Sequence, residues 1–195
     1  MNISEVKTAF KVADVVLDKE HKIRRIKFEF LDVLFDEHNK PISTDILKDD
    51  AGRIYLFTSD GIIQKIGGSQ CRGGIKATMS FYQGGMQGGP SIRTFGIHIL
   101  IKEELEKHKK VEVYMIISQK TTMKVKGLFK EEDGEVSSFK EMEDKCKSDY
   151  KSIENDYPPW NYQEAGKVWR QDILKALNEH DAKRKSLTSK KEGKK

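Results

Sequence analysis

Cysteine is scarce. Cys71 and Cys146 are the only two in 195 residues and form no CxxC pair, which excludes a disulfide scaffold and suits a reducing, cytoplasmic setting. Long apolar runs are missing too. None approaches the roughly 18 residues of a membrane span, so the sequence excludes an integral membrane protein. Residues 1–5 lack the basic-then-apolar pattern of a signal segment. There is no Walker loop, no Rossmann glycine fingerprint and no HExxH. The histidines at 21, 38, 98, 108 and 180 stand too far apart for a zinc or ββα-metal motif. Nothing supports a Ser-His-Asp arrangement, and there is no internal repeat.

What is present is charge, unevenly spread. The formal total of +5 hides a pattern: residues 1–50 carry 9 basic and 11 acidic groups, residues 51–130 carry 13 and 5, residues 131–182 carry 7 and 14, and residues 183–195 carry 7 and 1. A basic middle of +8 is the part suited to nucleic-acid phosphate. The length fits one domain over 1–182, with a core at about 50–130 and helices at 138–178. The basic end, 183–195, is too polar to pack and is expected to be disordered.

Along the chain, Phe10–Leu17 suits a short strand or a short helix. Ile26, Phe28 and Phe30 alternate as on a half-buried strand, and Asp36–Pro41 supplies turn residues. Arg53–Thr58 and Ile62–Ile66, separated by Ser59-Asp60-Gly61, read as a hairpin. Nine of the fifteen glycines fall in 67–96, around a short helix at Ile75–Tyr82. Gly84–Gly89 reads as an exposed, adaptable loop. Pro90 opens a helix to about Lys107, although Phe95–Ile101 also alternates like a strand. Val111–Ile117 is a strand with Thr122–Phe129 as its antiparallel neighbour. Ser138–Glu154 is an amphipathic helix, Pro158-Pro159 a stop and Asn161–Leu177 a last helix. Trp160 and Trp169 are expected in the core.

The hairpin carries the chemistry. With a three-residue turn at 59–61, Tyr55 lies directly opposite Lys65 on one face, about 5 Å apart at Cβ. A two-residue turn would put them on opposite faces. A phenol titrates near 10, too high for a general base at neutral pH, and an adjacent ammonium lowers that value. Tyr55 and Lys65 therefore suit the deprotonation of water. Hydrolysis of a phosphodiester also needs positive charge in the transition state, and the guanidinium of Arg72 fits, with Arg93 as a competitor.

Arg53-Ile54-Tyr55, the ten residues to Lys65, and Lys65-Ile66-Gly67-Gly68-Ser69 resemble the GIY-YIG nuclease family over roughly residues 50–130. Arg53 stands where that family has its first Gly, and Lys65 where it has its second Tyr. Tyr55, Ile66-Gly67 and Ser69 are kept. The resemblance implies an α+β fold: a central three-stranded sheet with flanking helices and additional N-terminal strands. It also implies Mg²⁺-dependent hydrolysis of double-stranded DNA giving 5′-phosphate and 3′-hydroxyl ends. Family spacing adds Lys76 to the basic candidates. The family takes its metal-binding carboxylate from a later helix, here Glu164, with Glu141 and Glu154 behind it. Asn161-Tyr-Gln-Glu164 equally has the spacing of a helix capping box.

A compact chain looks most like a type II restriction endonuclease, a homodimer about a palindromic site. Base contacts are expected from the Gly-rich loop and the following helix, through Gln87, Ser91, Arg93 and Thr94, together with Ser69. Two rivals stand beside this reading. One is a nuclease of the PD-(D/E)XK kind with Asp60 and Glu112 as ligands, which lacks the lysine two positions on. The other is a non-catalytic module that only grips phosphate.

Overall fold

The computed structural model describes residues 1–18, 26–36, 38–118 and 120–192. Its strands are β1 (Phe10–Val16), β2 (Lys27–Phe30), β3 (Leu34–Phe35), β4 (Pro41–Ile42), β5 (Arg53–Ser59), β6 (Ile62–Ser69), β7 (Val111–Ile117), β8 (Lys120–Lys126) and β9 (Glu131–Ser137). The helices are α1 (Gly74–Gln83), α2 (Ile92–Glu106), α3 (Phe139–Glu154) and α4 (Gln171–Glu192). Five strands form one sheet in the order β2-β1-β7-β5-β6, all antiparallel. The fold is α+β: β6, β5 and β7 form a three-stranded unit at one end of the sheet, and the N-terminal β1 and β2 extend it beyond β7.

β5 reads Arg-Ile-Tyr-Leu-Phe-Thr-Ser and is buried along its whole length, as a strand covered on both faces must be. Tyr55 and Phe57 join Ile75, Met79 and Tyr82 of α1, Phe95 of α2, and Trp160, Trp169 and Ile173 in the larger core. Ile54 and Leu56 face the other way, against Tyr150 of α3 and the N-terminal Ile3 and Val6. Both tryptophans are buried, as expected.

Several expectations are corrected. Thr122–Phe129 does not flank β7, because β1 and β5 already occupy both of its edges. Instead β8 pairs with β9 as a separate ribbon. Phe95–Ile101 is helical, and Pro90 precedes Ser91, whose hydroxyl accepts from the Thr94 amide as the N-cap of α2. The last helix begins at Gln171 rather than Asn161, since the Asn161 side chain is spent elsewhere, as shown below. The basic end continues α4 to Glu192 instead of lacking structure, and 193–195 lie outside the described residues. Among the described residues no helix is long and apolar enough to cross a membrane, and both cysteines are free.

Candidate active site

The β5–β6 hairpin turns on two residues, not three. Asp60 and Gly61 have φ of 47° and 76°, the left-handed pair that a tight hairpin with right-handed strand twist requires. A regular ladder from such a turn would put Tyr55 and Lys65 on opposite faces. It is not regular: Thr58 pairs with Ile63 but Phe57 pairs with Lys65, leaving Gln64 as an extra residue. That bulge shifts the register by one and returns Lys65 to the Tyr55 face. Tyr55 lies opposite Gly67, so Lys65 is its diagonal neighbour.

The bulge also receives the chain that follows α3. β6 is the edge strand, and the Trp160 amide donates to the Gln64 carbonyl at 2.8 Å. One residue on, the Asn161 side chain mimics a strand: its Oδ1 accepts from the Ile66 amide at 2.9 Å and its Nδ2 donates to the Ile66 carbonyl at 2.8 Å. These bonds cover the β6 edge and bring Glu164 to the Lys65 side. They also exclude the capping box, because Asn161 has no side-chain atom left for a helix amide. Asn161→Ala would strand both Ile66 groups and should cost about 2 kcal/mol, read as a lower urea midpoint.

Around Lys65 gather residues from five other segments. Tyr55 Oη lies 2.6 Å from Tyr82 Oη of α1, and Arg93 in the first turn of α2 lies near enough for its charge to act on both phenols. On α3, one turn apart, Glu143 and Lys147 form an ion pair at 2.5 Å, and Lys147 Nζ reaches Glu164 Oε1 at 2.6 Å. Sequence reasoning missed Tyr82, Glu143, Lys147 and Asn161. Only the i,i+4 spacing of Glu143 and Lys147 is visible in the chain, and that spacing is common on exposed helices.

The electrostatics separate the roles. Burial, then the neighbouring Tyr82, pushes the Tyr55 phenol well above its usual 10.0, and Arg93 only partly opposes this. Tyr55 is therefore not a phenolate at neutral pH, contrary to the expectation that Lys65 would lower it. Lys65 is the group brought toward neutrality. It is 1% exposed, and among the described residues it has no hydrogen-bond partner. Burial first, then the charge of Arg93, lowers its ammonium to about 7 against the attraction of Glu164. For Glu164, burial favours the neutral acid, but the Lys147 hydrogen bond, its own backbone amide and the charges of Lys147 and Lys65 bring it to about 2.

The other candidates lie apart from this cluster or are otherwise engaged. Arg72 is exposed in the turn before α1. The Lys76 ammonium sits over the Phe30 ring, 5.2 Å from its centroid. Arg93 is the basic candidate that the fold brings to Tyr55. Arg53, standing where the family has glycine, is buried and donates to the carbonyls of Asp49, Ala51 and Cys71. The Ser69 hydroxyl bonds Thr78 and the Cys71 amide, and Ser91 and Thr94 bond each other at the α2 cap. Gln87 is exposed on the glycine loop, which is pinned to α4 by His180 Nε2 donating to the Gly88 carbonyl at 2.9 Å. Glu141 and Glu154 lie on α3, with Glu154 paired to the N-terminal amine. Glu112 is paired with Lys11 and Lys110, and Asp60 accepts from the Lys110 amide. Among the described residues no group of three or more His, Cys, Asp or Glu forms a metal cluster. Glu164, half-buried and bridged through Lys147 to Glu143, offers the hard oxygen donors that a Mg²⁺ ion completed by waters would take.

The fold is similar to that of bacteriophage T4 EndoII. A mutant of that protein aligns over 83% of this chain and 98% of its own, at a TM-score of 0.51 and 16% identity. The restriction endonuclease HPY188I, solved in complex with product DNA, aligns over 81% of this chain and 84% of its own, at a TM-score of 0.48 and 19% identity. No family model and no curated protein matches the sequence. At such identities the likeness is one of fold, and the chemistry rests on the residues gathered around Lys65.

Proposed function

We propose that the protein is a Mg²⁺-dependent endonuclease for double-stranded DNA, of the type II restriction kind and related to the GIY-YIG nucleases. One observation carries the reading: a nearly buried lysine without a hydrogen-bond partner faces two phenols, an arginine and an ionised carboxylate, on a fold like that of EndoII. A buried cation left unpaired is costly, and such groups gather where chemistry uses them.

In this reading Lys65, half neutral near pH 7, takes the proton from the attacking water. Tyr55 and Tyr82, both neutral, orient that water and hold Arg93 in place. Arg93 stabilises the charge that develops on the phosphorane oxygens. The ionised Glu164 would hold Mg²⁺, and Lys147 fixes the carboxylate. When bound, the metal supplies charge to the leaving 3′ oxygen. The ribbon's four lysines are balanced by its four acids, and the net +4 of residues 51–118 is what attracts the phosphate backbone. With one site per chain, both strands are cut by a homodimer. Gln87 on the exposed part of the glycine loop is free to meet base edges, whereas Ser69, Ser91 and Thr94 serve the fold.

The test is incubation of plasmid DNA with the protein and Mg²⁺. The wild type should give discrete fragments with 5′-phosphate ends. Glu164→Ala should slow cleavage by about a hundredfold or more, and Tyr55→Phe by about tenfold through loss of one orienting hydrogen bond. Binding of DNA without cleavage by the wild type would leave only the phosphate-gripping module.

A further inference from the structure

The basic end of the chain is built into the fold as the second half of α4, and the contacts of α4 show that it runs antiparallel to α2. Arg170, just ahead of α4, pairs with Glu103 in the last turn of α2 at 2.6 Å. The His180 ring lies 5.8 Å from that of Phe95 in the first turn of α2, and His180 also bonds the Gly88 carbonyl ahead of that turn. One turn on, Arg184 covers Gly89, where a Cβ would stand 3.3 Å from its guanidinium carbon. Beyond Arg184 the helix leaves the body. Residues 182–187 are all exposed, and the run from 185 to Glu192 projects about 12 Å. The end of α2 that it passes is the one bearing Arg93.

This projecting segment has charge of one sign. From Lys183 to Lys191 the chain carries five basic groups and no acid, and no acid stands between Gly84 and Ile101 in the loop and helix beside it. Arg184 faces the loop and pairs with Asp181 at 3.6 Å. Lys183 and Lys185 flank it, about 100° away on either side of the helix. Both are exposed, and neither ammonium has an ion pair or hydrogen bond among the described residues. The helix dipole favours cations within the last turn only, whereas these lysines stand about two turns or more before Glu192. An anionic membrane surface would need an apolar stripe beside the charge, and Leu187 is the one large apolar residue from 183 to 192. Exposed, unpaired ammonium groups on the Arg93 side of the molecule suit the phosphates of a polyanion that already reaches Arg93.

We infer that the projecting end of α4 is a DNA-backbone arm: Lys183 and Lys185 take phosphates flanking the cut, and His180 and Arg184 fix the arm to the glycine loop. This role rests on the endonuclease reading, and binding measured without Mg²⁺ separates the two. The full chain is titrated with a duplex oligonucleotide over a range of salt concentrations. Lys183→Gln together with Lys185→Gln should weaken binding by about tenfold or more at roughly 0.1 M salt and lower the slope of log K against log salt by about 2. Lys107→Gln together with Lys110→Gln removes the same charge at the far end of α2 and should leave the slope unchanged. Glutamine preserves helix propensity, so far-UV circular dichroism of both variants should match the wild type. An unchanged slope in the α4 variant, or an equal fall in the α2 control, would overturn the arm, while cleavage by the wild type would keep the endonuclease reading. Wild-type binding to phosphatidylserine vesicles that disappears in the α4 variant, with its duplex slope unchanged, would assign the lysines to a membrane surface instead. A wild type that neither binds nor cuts duplex DNA would overturn both.

Discussion

Lys65→Met should reduce DNA cleavage by about a thousandfold and at the same time stabilise the protein by about 1–4 kcal/mol at neutral pH. Opposite signs in one variant are expected because the ammonium is useful to the reaction and unfavourable for the fold. Lys65 is 1% exposed beside Arg93 and Lys147, and its value falls from 10.5 to about 7. The unfolded chain therefore binds more protons than the folded one between about 7 and 10.5, and wild-type stability rises with pH across that window. The penalty is fully present below the folded value and disappears above the unfolded one. Melting temperatures of wild type and Lys65→Met should accordingly lie furthest apart at the acid end and converge as the pH approaches 10. The rate of wild-type cleavage should climb as the pH approaches about 7 and level off above it, as a neutral amine acting as base requires. A gap in melting temperature that ignored pH would show that Lys65 is not the strained charge. Undiminished cleavage by Lys65→Met would place the base elsewhere.

The local part of this fold was legible in the sequence. Val111–Ile117 is rich in β-branched and apolar residues and forms the strand with those same bounds, and helices stand near 75–82, 92–106 and 139–154 as expected. Register was not legible, because it depends on one residue. Asp60-Gly61 alone separates the partners, while the bulge at Gln64 reunites them, and the bulge is held by Trp160, far along the chain. The same distance hid Asn161. Its spacing to Glu164 matches a capping box, yet its amide pairs with Ile66, 95 residues away. Tyr55 and Lys65 share one face as the hairpin suggested, but burial acts on them in opposite senses: the phenol is held neutral and the amine is brought to about 7. Neighbour charges were readable from strand alternation, but the desolvation that outweighs them was not.

Gly67→Ala is expected to destabilise the protein by about 2–3 kcal/mol and to impair cleavage as well. Backbone preference alone gives the opposite sign, since alanine in a strand is favoured over glycine by about 0.5–1 kcal/mol. Sterics reverse it. Gly67 lies directly opposite Tyr55, and a Cβ there would fall 2.4 Å from both Cζ and Oη of the phenol. The ring has nowhere to retreat, because Phe57 meets it edge-on at 5.8 Å, Tyr82 does so at 6.0 Å, and their hydroxyls are 2.6 Å apart. Displacing Tyr55 therefore disturbs Tyr82, and through Tyr82 the Arg93 guanidinium. This is a physical reason for glycine to follow isoleucine at this point of the second strand, independent of any resemblance. A double-mutant cycle with Tyr55→Leu tests it. With the rigid ring gone, Gly67→Ala should become neutral or mildly stabilising, a coupling of about 2 kcal/mol or more between the two sites, while cleavage stays impaired because the phenol is absent. Additive stability changes would mean that Gly67 serves the strand rather than the tyrosine.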